Sequence, residues 1–211
     1  MASSFMKTGI ASNILLVTAD TYSKYIAEDD RSTRMLFGDG ASASWIGCAD
    51  QCKVEPLIGS FDDFQCASDG TGWDKFFIKS GGSRYPTAEC AGSDKQNKIS
   101  MNGLQVLNLV NDRVIKQVFA LLQKNGLEAN QIEQFFLHQA SGLALGCIEK
   151  KLKVDASKVY SNIENVGNTV SSSIPILIKD YFAQANPPRG SRLLLCGYGV
   201  GYSWGSLLAT K

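Results

Sequence analysis

Histidine is the scarcest chemical resource of this chain, with one, His138, in 211 residues. A metal centre built on several imidazoles is therefore excluded. The six cysteines, at positions 48, 52, 66, 90, 147 and 196, contain no C-x-x-C pair, so neither a zinc ribbon nor a dithiol redox motif is expected, and no metal site is assigned. Charge of one sign is also missing. A net charge of +1 gives no field that would gather nucleic acid or an anionic membrane. Long apolar runs are absent as well: Ile14 to Val17 and Leu193 to Cys196 are strand-sized, far short of the roughly 20 residues of a bilayer span. Reduced thiols and a cytoplasmic location are the expectation. What remains, 44% hydrophobic and 19% charged residues with 20 glycines, suits one or two globular domains.

Along the chain, Ala2 to Thr8 reads as the last turns of a helix that begins upstream, stopped by Gly9. Ile14 to Val17 reads as a fully buried strand, Leu36 to Gly47 as a second around Gly38-Asp39-Gly40, and Val54 to Ser60 as a third. Asp62 to Lys98, rich in Gly, Ser and Asp, reads as a surface excursion. Leu104, Leu107, Val110, Val114, Val118 and Leu121 recur at threes and fours and predict one helix face, closed by Asn125-Gly126. Gln134 to Leu137 predicts a buried strand, Leu143 to Leu152 a helix, and Val159 to Ile163 a short strand. Ser171-Ser172-Ser173 predicts a helix start with Pro175 in its first turn. Arg192 to Cys196, a glycine turn and a final strand to about Ala209 close the chain.

The pattern of a buried strand, a glycine turn and a small-residue strand occurs twice, at Ile14 to Gly47 and at Leu193 to Gly205. It suggests two related α/β halves, residues 1–98 and 99–211, with a site at their seam. His138 lies at the carboxyl end of the Gln134 to Leu137 strand, where open α/β sheets gather ligands. A side chain of ordinary pKa about 6.5 there is either a proton handler or hydrogen-bond donor, or a core histidine satisfied by a backbone carbonyl.

Five blocks in order then carry a resemblance: Asp30-Arg31-Ser32-Thr33, Phe37-Gly38-Asp39-Gly40-Ala41, His138-Gln139-Ala140, Gly167-Asn168-Thr169 with Ser172-Ser173-Ile174-Pro175, and Gly201-Tyr202-Ser203-Trp204-Gly205-Ser206. Together they resemble the β-ketoacyl-acyl-carrier-protein synthase III family of the thiolase-like fold, over its C-terminal two-thirds. The resemblance implies a five-layered α-β-α-β-α arrangement, with an incomplete first half and a complete second half, and a homodimer. It implies an acyltransferase of fatty acid biosynthesis that condenses an acyl-CoA with malonyl-acyl carrier protein, with loss of carbon dioxide and without a cofactor beyond these thioester substrates. His138 and Asn168 match the two donors that hold the thioester carbonyl as its carboxylate leaves. Two preorganised donors in a dry pocket suit an enolate. Arg31 matches an arginine beside the coenzyme A nucleotide, Gly103 lies where pantetheine passes, and Lys150 and Lys151 match a basic patch facing the acidic carrier protein.

Departures qualify the match. Ser141 and Leu143 stand where the family has a pantetheine-contacting asparagine and a docking arginine. Val200 stands where a glycine N–H usually meets the acyl oxyanion. The family's nucleophilic cysteine belongs two to three turns before Met1, at roughly 3.6 residues per turn, and none of the six cysteines has its setting; Cys196 ends an apolar strand and reads as buried and inert. Three readings stay open: the C-terminal part of such an enzyme, inactive without the upstream cysteine; one subunit of a split ketosynthase or acyltransferase completed by an N-terminal segment; or a noncatalytic interaction module.

Overall fold

The computed structural model describes residues 1–48, 58–86, 96–199 and 201–211. Gly9, at φ +73°, ends α1 (Ala2–Lys7) in a conformation that favours glycine and turns the chain toward β1 (Asn13–Asp20). β1 pairs antiparallel with β2 (Gly40–Gly47), with Leu15 opposite Trp45 and Val17 opposite Ala43. The two-residue period sends Thr18 and Ser42 to one face, where the Thr18 hydroxyl lies 2.6 Å from that of Ser42 and 2.8 Å from that of Ser172. The other face is bare: Leu15, Val17 and Trp45 are 66%, 62% and 46% exposed. The expectation of a fully buried strand at Ile14 to Val17 is thus corrected, because its apolar side chains point both ways and only one face is covered. In the link between β1 and β2, Asp30 caps α2 (Arg31–Arg34), accepting from the Ser32 and Thr33 amides. Those bonds and the two hydroxyls hold its carboxyl down at about 2.

The stretch read as a surface excursion contains a long strand, β3 (Ser60–Ser68), followed by the short β4 (Phe76–Ile78) and, beyond it, β5 (Ile99–Met101), which pair with each other. Of the strand expected at Val54 to Ser60, residues 54–57 lie outside the described residues. Asn102 caps α3 (Gly103–Leu109), which runs through a π-helical turn at Val110–Val114 into α4 (Ile115–Lys124). Val110, Val114, Val118 and Leu121 of the predicted face are buried, but Leu104 is 76% exposed. It sits in the first turn, before the helix reaches the sheet.

β6 (Gln134–Leu137) is followed by α5 (Gly142–Leu152), α6 (Ile163–Val166) and α7 (Ser173–Gln184), in which Pro175 occupies the first turn as expected. β7 (Arg192–Gly199) and β8 (Ser203–Thr210) complete a four-stranded sheet of order β3-β8-β7-β6, in which only β6 and β7 run parallel. Residues 60–68 thus sit in one sheet with strands from the second block. The strand expected at Val159 to Ile163 reduces to a single bridge between Val159 and Phe135, because Ile163 already opens α6.

One face of this sheet, with Leu194, Cys196 and Leu208, packs on Val114, Val118 and Leu121 of the long helix and Ile148 of α5. The opposite face, with Phe136, Leu193 and Ala209, packs on Leu177 of α7. α7 also contacts β2, so the described layers run helix, sheet, helix, sheet. No helix among the described residues is long and apolar enough to cross a membrane.

Candidate active site

His138 follows directly from β6. Its amide donates to the Cys196 carbonyl at 2.8 Å, extending the parallel ladder by one bond, so its side chain stands at the carboxyl end of the sheet. Gln139, fully buried, fixes the turn that follows: Nε2 donates to the Leu137 carbonyl, and Oε1 accepts from the Ser161 hydroxyl, both at 2.8 Å. The imidazole meets the Tyr198 ring edge-on at 5.2 Å between centroids, and its Nδ1 lies 2.6 Å from Oγ of Ser173, at the start of α7. Burial pushes its pKa down to about 4, so the ring is neutral near pH 7.

Asn168 reaches the same place from the other side. Its backbone is clamped to the loop after α2: its amide donates to the Leu36 carbonyl at 2.7 Å, and its carbonyl accepts from the Gly38 amide at 3.0 Å. Its side-chain oxygen accepts from the Val170 amide at 2.9 Å, and Nδ2 donates to the Ala140 carbonyl at 3.4 Å. Val170 is held at φ +53°, the left-handed region that a β-branched residue resists. The Asn168 side chain is what pins that amide, so local strain is spent at the loop that orients the carboxamide.

Both residues line one cavity of about 610 Å³ with mainly apolar walls, among them Leu36, Phe37, Phe76, Met101 and Leu107. Tyr22, Phe37 and Phe76 form one aromatic wall, with Tyr22 and Phe37 stacked at 5.2 Å. Among the described residues, no cysteine lines the cavity. Cys196 is fully buried in the core, accepts from the Ser206 hydroxyl at 3.4 Å, and has its thiol pushed up to about 11 by burial. It is an inert packing thiol, in line with its reading from sequence. Cys52 and Cys90 lie outside the described residues.

The other sequence-derived positions divide. Gly103, Ser141 and Leu143 line the cavity with the two donors. The Ser141 hydroxyl oxygen is engaged as the N-cap of α5, accepting from the Ala144 amide at 3.1 Å. Arg31 is exposed at the first position of α2, while its neighbour Ser32 lines the cavity. Lys150 and Lys151 are exposed in the last turn of α5, and Lys151 donates to the Asn111 carbonyl at 3.3 Å, in the π-helical turn. Val200 lies outside the described residues. Sequence reasoning missed Ser173 and the aromatic wall. The run Ser171-Ser172-Ser173 was legible only as a helix start, because which hydroxyl faces His138 depends on the pitch of α7. No cluster of metal-ligating side chains occurs among the described residues.

Comparison with known proteins agrees with this geometry. Residues 1–70 match the family model described as 3-oxoacyl-[acyl-carrier-protein] synthase III, and residues 122–211 match that of its C-terminal part. The chain is 31% identical over 206 residues to the beta-ketoacyl-[acyl-carrier-protein] synthase III of Clostridioides difficile, covering 98% of this chain and 61% of that relative. It is 35% identical over 209 residues to the relative of the same name from Acaryochloris marina, with 98% and 61% covered. A crystal structure of a 3-oxoacyl-(acyl-carrier-protein) synthase III superposes with a TM-score of 0.90 at 34% identity, covering 100% of this chain and 64% of that one. The enzyme from Pseudomonas aeruginosa gives 0.85 at 30% identity, with 99% and 62% covered. The chain therefore spans about 60% of the length of the curated relatives it matches. With five sequence blocks, the thiolase-like layering and these matches in agreement, the chain belongs to the 3-oxoacyl-[acyl-carrier-protein] synthase III family.

Proposed function

We propose that this chain carries the enolate-stabilising part of a 3-oxoacyl-acyl-carrier-protein synthase III-type acyltransferase, acting on an acyl-CoA and a malonyl-acyl carrier protein. The observation that carries this reading is the convergence of a neutral imidazole and a primary amide, His138 and Asn168, on one apolar cavity. When the malonyl carboxylate leaves as carbon dioxide, its bonding electrons pass to the thioester carbonyl. The oxygen becomes an enolate and draws strongly on two hydrogen-bond donors. A neutral donor pair stabilises that charge without becoming a counter-ion that retains the product. Apolar walls exclude water that would weaken both bonds.

In the same reading, Arg31, Gly103 and Ser141 attend the coenzyme A arm, Lys150 and Lys151 meet the acidic carrier protein, and Val200, outside the described residues, is assigned to the acyl-oxyanion loop from the resemblance alone. The protein acts in the cytoplasm. The two halves are taken as residues 1–98 and 99–211, with β3 (Ser60–Ser68) of the first contributed to the sheet of the second. Because no cysteine is among the described residues that line the cavity, acyl-enzyme formation needs a thiol beyond these, whereas enolate formation does not. The 211-residue chain is expected to release carbon dioxide from a malonyl thioester, leaving the acetyl thioester after protonation. His138→Ala and Asn168→Ala each remove that activity. It is also expected to give no thioester mass adduct with acetyl-CoA. A stoichiometric adduct, or equal decarboxylation by the chain and both variants, would refute the proposal.

A second reading, in which another polypeptide segment or a second copy completes the molecule, is favoured by the bare face carrying Leu15, Val17 and Trp45. A row of large apolar side chains on an exposed sheet face marks a site of association. Analytical ultracentrifugation separates a homodimer from a monomer and from a complex with a co-purifying chain.

A further inference from the structure

We propose that Ser173 is the positioning residue that selects the tautomer of His138: its hydroxyl donates to Nδ1, leaving the proton of the neutral ring on Nε2, the nitrogen free to serve the cavity. This role for Ser173 rests on the functional reading above.

Ser173 Oγ and His138 Nδ1 are 2.6 Å apart, and Ser173 is only 2% exposed. Two arrangements fit that distance. In the first, Nδ1–H donates to the serine oxygen. The serine proton then needs an acceptor of its own, and among the described residues the Ser173 hydroxyl has no other hydrogen bond than the one to His138. A buried donor would be left unpaired. In the second, the serine proton goes to Nδ1 and the ring's own proton sits on Nε2, on the half-buried side of a histidine that lines the cavity. Each arrangement leaves one donor without a protein partner, but the first strands it on the buried serine and the second on the nitrogen open to the cavity, where solvent or substrate accepts it, so the second arrangement is favoured.

The consequence reaches the chemistry directly. A neutral imidazole has one N–H, and an oxyanion needs a donor, not a lone pair. With the proton on Nδ1, Nε2 would present a lone pair to the developing enolate and repel it. Burial keeps the second proton off the ring, so the choice of nitrogen decides whether His138 works with Asn168 or against it. The edge-on Tyr198 ring and the amide bond to Cys196 fix where the imidazole lies. Neither chooses its tautomer. The Ser173 hydroxyl does, and its place at the first position of α7 holds it rigidly.

The single histidine makes the test unambiguous. The 211-residue chain, labelled with nitrogen-15 histidine, gives one imidazole spectrum, which magic-angle-spinning NMR reads in a sediment as well as in solution. At neutral pH, without thioester, Nε2 is expected to carry the proton and Nδ1 to show the resonance of an unprotonated, hydrogen-bonded nitrogen. In Ser173→Ala the Nδ1 resonance moves toward that of a free, unbonded nitrogen, and malonyl-thioester decarboxylation falls by about tenfold in kcat with little change in KM. A proton found on Nδ1 in the parent chain, or an Nδ1 resonance and kcat unmoved in Ser173→Ala, overturns the proposal. The tautomer is read without substrate. Failure of the functional reading, seen as decarboxylation insensitive to Asn168→Ala, therefore remains distinguishable from failure of this one.

Discussion

Gly38→Ala is expected to dislodge the loop that holds Asn168. A methyl group at Gly38 would lie 2.2 Å from the carbonyl oxygen of Val166. That partner is backbone, with no flexible side chain to swing aside, so the two segments have to separate by about 1 Å to restore normal contact. They are joined there by the Asn168 amide to the Leu36 carbonyl at 2.7 Å and the Gly38 amide to the Asn168 carbonyl at 3.0 Å. Losing two such bonds costs about 1–3 kcal/mol net, and forcing a methyl into a close-packed contact adds about 1–3 kcal/mol. Allowing for partial relaxation, the expected loss is about 2–5 kcal/mol. For a chain of this length that corresponds to a melting temperature lower by roughly 5–15 °C. Gly146→Ala is the control. Gly146 lies inside α5 with nothing within 4 Å of where its new methyl would sit, so alanine should stabilise by about 0.5–1 kcal/mol through helix propensity. Urea titration or calorimetry of the three chains measures both. A Gly38→Ala chain as stable as its parent would show that the loops are not clamped in this register.

Further expectations follow from the burial of single groups. His138 ionises near 6.5 in the unfolded chain but only at about 4 when folded, so the unfolded state binds the proton first. Its contribution to stability is complete above pH 6.5 and is lost as the pH falls toward 4, amounting to about 3 kcal/mol. Denaturation measured across pH 7 to 4 should show that slope, and His138→Gln should flatten it. Tyr198→Phe should leave stability unchanged or raise it by about 1 kcal/mol, because the hydroxyl removed is buried without a hydrogen-bond partner; a clear loss in urea titration would reveal a partner. Iodoacetamide at neutral pH should label Cys48 and Cys66, which are exposed, and leave Cys196 untouched, as peptide mass mapping can read.

The second sheet was legible because its strands are short apolar runs between glycine and polar signals. Arg192 to Cys196 lies within β7, which runs on to Gly199 through residues expected to begin a glycine turn, and Gln134 to Leu137 became β6 to the residue. β3 was not legible. It is an edge strand with two aspartates and a bulge between Phe61 and Asp63, which breaks the alternation that would have announced it. Ile14 to Val17 was read as buried because periodicity reports how apolar a strand is, not whether anything covers it. The π-helical turn after α3 is equally silent in sequence, since the buried valines at 110, 114 and 118 are spaced as in an ordinary helix. At the site, His138 stood out by its place at the end of the Gln134 to Leu137 strand, and Asn168 through the family resemblance carried by Gly167-Asn168-Thr169. Ser173 did not, because its role depends on a partner 35 positions away along the chain.

The hydroxyl bridge from Thr18 to Ser172 joins residues 154 positions apart, and the Leu36–Asn168 clamp joins segments almost as distant. Contacts of such separation close the largest loops and carry the largest entropic penalty before they contribute anything. The helices and strands between residues 103 and 152 can collapse around their own apolar faces first, carrying His138 with them. Asn168 takes its final orientation only when the first forty residues arrive. Assembly of the donor pair is then a late folding event, and an intermediate with a formed core and a mute site is the species that refolding kinetics should accumulate.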